Sequence, residues 1–440
     1  MIKVSIVIPV FNCAEGLRRC LSDLKLMATD EIQVVVVDDG STDRSPLVAS
    51  GFREEFENFA YERISENRGV GNARNIGLKL SLGKYIYFLD CDDAVSGNFS
   101  VALMSELGGQ SDLVFTPVRK IPYGVYNSSY LTFLAQQPNF GRAHLLASLE
   151  KFEAWPLECW GYFIRRDFLL DNQISFESIR ISEDMVFMTT VFSKLNNYSV
   201  VQDLVYIHYR TPGSLGKSFS NHEIESWFSA FLGLSNLAKE VPIGSSESRM
   251  ILNRLSYTFA YILISFLLIG RLGKKDFSTW VVGSHGIDVL RSLAGAKADQ
   301  IQTEFEIFGI FLDQILINVE KLINPVGTGN TYLYCYDRLS LGVCEILKSL
   351  NCKVAGIVDD HCGTVIASAG FGSNALSPEI LYEELIENDT VVICHDKYSV
   401  FTSKQKQLES LQKGGIRVTR LTTGDLIGDV PFEKLFRENL

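Results

Sequence analysis

The sequence predicts an α/β protein with a mixed, largely parallel sheet in its first half, a helical middle region and a second, smaller α/β module. Three observations carry this prediction. First, Tyr85-Ile86-Tyr87-Phe88-Leu89 is a continuous apolar run bounded by Gly83, the pattern of a strand buried on both faces. It runs directly into Asp90-Cys91-Asp92-Asp93, which places carboxylates just past a strand's C-terminal end, where open α/β sheets hold ligands. Second, the stretch before it alternates strand and helix patterns as β-α-β-α-β-α-β, with helices too short for anything but crossovers between parallel strands. Third, the same alternation resumes after Asn324-Pro325-Val326-Gly327.

At 440 residues the chain is too long for one core, so several domains are expected. The boundaries read as 1–220, 221–325 and 326–440. A net charge of -11, from 41 basic and 52 acidic residues, excludes a general nucleic-acid binder, because no basic field is available to neutralise phosphates. The nine cysteines form no C-x-x-C pair, so neither a zinc site nor a disulfide framework is implied, and a reducing cytoplasm is expected. Met1-Ile2-Lys3-Val4 enters a strand at once, without the layout of a signal peptide.

In chain order, Lys3 to Val10 reads as a central strand followed by Phe11-Asn12. A helix comes next with Leu17, Cys20, Leu21 and Leu24 on one face, spaced i, i+3, i+4, i+7. Ile32 to Val37 is a second strand opening into Asp38-Asp39-Gly40-Ser41-Thr42-Asp43, which is turn and helix-capping chemistry. A third strand lies near Phe59 to Ser65, and Asn72 to Leu82 is a helix with Arg74 in its first turn. All three loops that follow strands should converge on one sheet edge. There Pro9 and Phe11 would line a base-stacking pocket, Asp39 would accept from a base N–H, and Arg74 would pair with a diphosphate. Oxygen ligands at Asp90 and Asp92, flanking Cys91, suit a hard divalent cation, Mn²⁺ or Mg²⁺.

Four segments occur in order over about ninety residues: Val4 to Asn12, Val37 to Asp43, Asn67-x-Gly69-x-Gly71-x-Ala73-Arg74-Asn75-x-Gly77, and Leu89-Asp90-x-Asp92-Asp93. Together they resemble the motif series of the family 2 glycosyltransferases. That resemblance extends through Cys159-Trp160-Gly161-Tyr162 and Ser182-Glu183-Asp184-Met185, to about residue 217. It implies the GT-A nucleotide-sugar-binding fold and an inverting, metal-dependent transfer from a nucleotide-sugar donor, a UDP-sugar first, to a glycan or lipid-linked acceptor hydroxyl. Capsule or O-antigen synthesis would be a typical setting.

By the same resemblance, Asp92 would hold the metal directly and Asp90 would assist. Asp184 would be the general base, projecting from the start of an amphipathic helix whose N-terminus helps keep it ionised. Trp160 is assigned to the acceptor side as a sugar-stacking platform, Glu183 to the acceptor side or to the base role in place of Asp184, and His208, Arg210 or Lys217 would complete the metal or diphosphate shell. Asp93 either joins this loop chemistry or caps the next turn.

Outside that pattern, Leu255 to Gly270 is an uncharged stretch too short for the roughly 20 residues of a spanning helix, and Phe305 to Val319 is its expected packing partner. Soluble packing is expected, while peripheral membrane contact at the inner face of the cell membrane and homo-oligomerisation stay open. The final module is expected to be Rossmann-like, with strands at Thr331 to Tyr334, Lys353 to Val358, Thr390 to Cys394 and Arg417 to Leu421. After its first strand, Cys335-Tyr336-Asp337-Arg338 replaces a glycine-rich turn, so it lacks a phosphate cradle and reads as an assembly domain. The alternative to an enzyme is an inactive nucleotide-sugar-binding scaffold acting through this last domain. It would require loss of the acidic sites, yet Asp39, Asp90, Asp92 and Asp184 are all present.

Overall fold

A computed structural model describes residues 2–97, 99, 111–121, 124–125, 128–136, 141–151, 158–209, 221–242, 244–255 and 258. In the C-terminal part it describes 331–334, 354–358, 375–376, 381, 390–394 and 417–421. The chain divides into two compact units, 1–218 with 233–251, and 219–232 with 252–440.

The first unit opens with β1 (Val4–Val10), α1 (Ala14–Lys25), β2 (Ile32–Asp38), α2 (Ser45–Gly51), β3 (Phe59–Arg63), α3 (Val70–Leu80) and β4 (Tyr85–Phe88). It continues through β5 (Ala94–Gly97), β6 (Leu113–Phe115), β7 (Val118–Ile121), β8 (Gly124–Val125), α4 (Ser128–Ala135) and α5 (Arg142–Lys151). Then come β9 (Tyr162–Arg165), α6 (Arg166–Asp171), α7 (Glu183–Lys194), β10 (Tyr198–Val200) and β11 (Leu204–Tyr209), with α8 (Asn221–Glu240) following. The expected elements are present within a few residues of their expected ends.

Seven strands form the main sheet in the order β10-β6-β9-β4-β1-β2-β3, so the strand that ends in the acidic loop is its middle member. Parallel pairing runs from β3 through β2 and β1 to β4, as the short crossover helices require. β9 runs antiparallel to both β4 and β6, which makes the sheet mixed. A second sheet, β5-β11-β7-β8, carries β11 antiparallel to β5 and parallel to β7.

Every residue of β1, β2 and β4 is buried, as their continuous apolar runs dictate. On one face, Leu17, Cys20, Leu21 and Leu24 of α1 join the core cluster that includes Ile6, Ile8, Val34 and Tyr87. On the other, Phe88 meets Phe187 edge-on at 5.8 Å between ring centroids, and Phe187 stacks on Phe176 at 3.9 Å. This second aromatic cluster seats α7 against the middle strand. α7 is buried along nearly its whole length, from Met185 to Met188 and again at Val191 and Phe192, rather than amphipathic. A helix that packs on a sheet and is also covered on its outer side has no polar face to present.

The glycine that ends the Asn67–Gly77 motif has a packing reason. A Cβ at Gly77 would lie 2.2 Å from Val7 Cγ1, so α3 approaches β1 more closely than alanine allows.

The C-terminal part holds five parallel strands, β12 (Thr331–Tyr334), β13 (Val354–Val358), β14 (Ala375–Leu376), β15 (Thr390–Cys394) and β16 (Arg417–Leu421). Their order is β14-β13-β12-β15-β16. The four strands expected from the sequence are among them. The helices expected between them except Leu381, the apolar stretches 256–270 and 305–319 except Thr258, and Arg210 and Lys217 lie outside the described residues. Among the described residues no helix is long and apolar enough to cross a membrane.

Gly77→Ala should destabilise the first unit by about 1–3 kcal/mol through overpacking, read as a lower urea midpoint. In a double-mutant cycle, Val7→Ala in the same chain should recover part of that loss, because the two sites share one contact. Additive losses would show that the Gly77–Val7 approach is not the source.

Candidate functional site

The loops after β1, β2 and β4 meet at one sheet edge, as their shared strand direction requires, and hydrogen bonds join them there. Asn12 takes a left-handed backbone (φ 51°), and its Oδ1 accepts from the Thr42 N–H at 2.8 Å and the Asp43 N–H at 3.3 Å. In return its own N–H donates to Ser41 Oγ at 3.0 Å. Asp43 Oδ2 caps α1 by accepting from the Ala14 N–H at 3.0 Å. Arg19, one turn into α1, donates to the main-chain oxygen of Asp92 and lies 4.5 Å from the centre of the Tyr209 ring. The first helix thereby ties the first loop to the acidic loop.

Phe11 is 46% exposed at this edge, an available aromatic face, while Pro9 is buried within β1. Asp39 is buried, and its two carboxylate oxygens accept from the Arg68 and Gly69 N–H groups, each at 2.8 Å. Burial nevertheless leaves its carboxyl above the usual carboxylate range, against the pull of those two bonds. Asp39 therefore holds the loop before α3 in place, a role its motif did not announce.

Arg74 was expected on a diphosphate. Instead its Nη2 donates to Asp90 Oδ1 at 2.8 Å and its Nη1 to Glu183 Oε1 at 2.6 Å. Arg74 is only 4% exposed and the Glu183 side chain 7%. Both ends of the guanidinium are committed to carboxylates, so Arg74 is a bridge inside the protein rather than a ligand group at its surface. Glu183, assigned to the acceptor side, is likewise the buried partner in this pair. Burial pushes its carboxyl upward, with Arg74 opposing.

Asp184 is partly exposed at the first turn of α7, beside this bridge. Desolvation, and after it the negative charge of Glu183, pushes its carboxyl well above the usual range, with Arg74 again opposing. The helix N-terminus was expected to keep this group ionised; desolvation and the Glu183 charge act in the opposite direction. Ser182, which precedes the pair, has a left-handed backbone (φ 69°). For a non-glycine residue that conformation carries strain, and it sets the direction in which Glu183 and Asp184 leave the loop.

The acidic loop divides its labour. Asp93 is buried and takes three donors from β11: Tyr206 Oη at 2.6 Å, the Tyr209 N–H at 2.8 Å and His208 Nδ1 at 3.1 Å. Asp93 is thus an anchor for the second sheet, not a turn cap. Trp160, expected as a sugar platform, is 7% exposed, with Tyr206 stacked on it at 4.6 Å and His208 at 5.2 Å. Its indole is a support against which the histidine ring rests. Asp92 feels desolvation first, then the charges of Asp93 and Asp90, and its carboxyl rises. Between them, Cys91 lies near Cys13, and the interaction lowers the Cys13 thiol and raises that of Cys91.

Among the described residues no group of three or more histidine, cysteine or carboxylate side chains is arranged to hold a metal. Asp92, crowded by like charges and not committed to the Arg74 bridge, still fits a cation held through one or two protein groups and completed by phosphate oxygens. Residues that pattern reading did not single out are Arg19, Cys13 and Ser182. Arg19 and Cys13 stand in no recognisable motif, and Ser182 opens the acidic segment before α7 without its backbone conformation being legible there.

The Arg74 bridge has a measurable cost of removal. Arg74→Met should destabilise the protein by about 3–5 kcal/mol at neutral pH, because two carboxylates would be left without their partner. Those carboxyls would then take up protons more readily folded than unfolded, so the deficit should shrink as pH falls. A pH-independent deficit in urea unfolding would refute the bridge's role.

Residues 5–172 match the family described as Glycosyl transferase family 2. The chain is 27% identical over 219 residues to the minor teichoic acid biosynthesis protein GgaB of Bacillus subtilis, covering 47% of this chain and 23% of that protein. It is 28% identical over 222 residues to the B. subtilis glycosyltransferase EpsJ (48% and 62%). It is 30% identical over 218 residues to the poly(ribitol-phosphate) beta-glucosyltransferase of Bacillus spizizenii (47% and 32%). The chain therefore spans less than two thirds of the length of these curated relatives. Among solved structures, S. aureus TarS 1–349 in complex with UDP-GlcNAc is similar at a TM-score of 0.50 and 17% identity, covering 80% of this chain and 91% of that one. The family match and the GT-A fold expected from the sequence thus coincide in the first unit, in the stretch that carries the strand-end loops and the acidic motif.

Proposed function

We propose that this chain is a metal-dependent, inverting glycosyltransferase that moves a sugar from a nucleotide-diphosphate donor, a UDP-sugar first, to a hydroxyl of a glycan or lipid-linked acceptor. The observation that carries the proposal is the Arg74 bridge. It ties Asp90 of the acidic loop after β4 to Glu183 at the start of α7, so that the loop carrying Asp92 and the helix start carrying Asp184 share one sheet edge. Carboxylates from two sources, one set for the leaving group and one for the acceptor, are what an inverting transfer needs. The names of GgaB and the poly(ribitol-phosphate) beta-glucosyltransferase support a surface polymer as the acceptor class.

In this reading Phe11 stacks on the nucleobase and Asp39 keeps the adjoining loop in register. Asp92, with Asp90 and His208 beside it, would hold Mn²⁺ or Mg²⁺, which supplies charge neutralisation for the departing diphosphate. Asp184 accepts the proton of the acceptor hydroxyl as its oxygen bonds to the anomeric carbon. The bond from that carbon to the diphosphate breaks on the opposite face, and its electron pair leaves on the phosphate oxygen. A carboxylate whose proton affinity is raised by burial is a better acceptor for that proton than a fully solvated one. The C-terminal strand order, with β12 between β13 and β15, is the order of a doubly wound sheet, which supports a Rossmann-like assembly domain there. Action at the cytoplasmic membrane face and homo-oligomerisation belong to the same reading.

A thermal-shift screen of nucleotides and nucleotide sugars, with and without Mn²⁺, should give a UDP-selective, Mn²⁺-dependent rise. A flat screen on folded protein would overturn the donor assignment. Asp92→Ala should abolish the metal-dependent part of donor binding in titration calorimetry. Wild-type binding by that variant would move the metal elsewhere. Asp184→Asn should keep donor affinity while lowering kcat about 10²–10⁴-fold. Because the Asp184 carboxyl sits above the usual range, the acidic limb of wild-type kcat/KM should fall at a higher pH than an ordinary carboxylate would give. Retained turnover in Asp184→Asn would place the base on another residue.

A further inference from the structure

Between α1 and α2 the first unit holds an open cavity of about 450 Å³. Its walls carry Arg18 of α1, Arg44 just before α2, Leu47 and Val48 of α2, and Phe52 and Glu55 beyond that helix. The position follows from topology. α1 and α2 are the crossovers after β1 and β2, so they run side by side in one direction across the same face of the sheet. Arg18, one turn into α1, and Arg44, at the start of α2, therefore share one end of the cavity. Glu55 follows α2, so it stands at the other end of a helix about 10 Å long.

The charges at the two ends are not equally satisfied. Glu55 is paired with Lys25 through one carboxylate oxygen. Arg44, by contrast, has no carboxylate partner among the described residues. Arg18 meets only Glu15, at 3.8 Å, and the two side chains are 54% and 88% exposed, a contact that water screens. In a chain of net charge -11, two guanidinium groups thus face one cavity with no carboxylate committed to them. Between the two ends the wall is apolar: Val48 is buried, Phe52 is partly buried, and Leu47 stands exposed at the rim.

We propose that this cavity is a second binding site, for the phosphate monoester of a sugar or small polyol. The phosphate would sit between Arg18 and Arg44, the carbon skeleton against Phe52 and Val48, and a hydroxyl would donate to the free oxygen of Glu55. A phosphate monoester carries about two negative charges at neutral pH, which answers two arginines, whereas a carboxylate answers one. The guanidinium fork matches phosphate oxygens in pairs. An aromatic face beside an aliphatic side chain suits the C–H side of a sugar ring. The volume falls within the roughly 300–1,000 Å³ of small-molecule sites and exceeds what inorganic phosphate would fill. Phe11, Asp39, Asp90 and Asp92 do not line the cavity, so the site is separate from the proposed donor pocket and does not rest on the transferase reading.

The experiment is titration calorimetry on the full chain at fixed ionic strength, with glucose 1-phosphate, ribose 5-phosphate and glycerol 3-phosphate. At least one should bind, inorganic phosphate should bind about tenfold or more weakly, and glucose should not bind. Arg44→Gln should weaken the ester about tenfold to a hundredfold, and Arg18→Gln with Arg44→Gln should abolish binding. Both arginines are exposed, so neither change should lower Tm. Glu55→Gln should weaken the ester while leaving inorganic phosphate unchanged. Saturating UDP with Mn²⁺ should leave the ester's affinity unaltered. Failure of all three esters to bind, or wild-type binding by the double variant, would overturn the site. Equal affinity for the esters and inorganic phosphate would reduce it to an adventitious ion only and overturn the ligand class. Competition by UDP would place the ester in the donor pocket and overturn the second site.

Discussion

The first unit depends on a buried guanidinium. Arg74 projects from a crossover helix into the space between the middle strand's acidic loop and the start of α7, and it takes a carboxylate from each. The two partners come from segments far apart in sequence, so the bridge forms only when β4, α3 and α7 are all in place. Taking three charges out of water costs several kcal/mol, and the excess of one carboxylate over the single cation leaves the region negative. That residual charge, with burial, explains why the carboxyls of Glu183 and Asp184 both lie above the usual range. A neighbourhood poised this way is suited to accept a proton and to welcome a cation, which are the two needs of the proposed reaction.

Asp93 does for the second sheet what Arg74 does for α7. It collects a phenol, an imidazole and a main-chain N–H from β11, and thereby fixes His208 in front of Trp160. Three consecutive acidic-loop positions consequently have three different fates. Asp93 faces inward and is saturated by donors, Cys91 lies near Cys13, and Asp92 is left with a carboxylate crowded by its neighbours and a main chain held by Arg19. A turn closed by the Asp93 N–H donating to the Asp90 main-chain oxygen at 3.1 Å separates the directions these side chains take.

The architecture was legible because its signals are local. Continuous apolar runs at β1, β2 and β4, the spacing of Leu17, Cys20, Leu21 and Leu24, and the acidic loop after β4 require no partner to be recognised. The order of four motifs over about ninety residues pointed to the fold, and the convergence of three loops followed from parallel strand direction. The glycine at position 77 was likewise present in its motif, although its reason, the close approach of Val7, was not.

What the chain's own order determined was therefore its α/β class, the place of the acidic loop at a strand's C-terminal end, and the set of residue types brought to that edge. Tertiary structure alone decided which charges are spent and which remain. Arg74 and Glu183 are consumed by each other and Asp90, Trp160 is covered by Tyr206 and His208, and Asp93 is saturated by β11. Composition and spacing specify where a side chain leaves the backbone, but a charged group's role depends on the opposite charge it meets and on how far water is excluded. Both are set by segments more than a hundred residues away, as in the pairing of Arg74 with Glu183 across 109 positions.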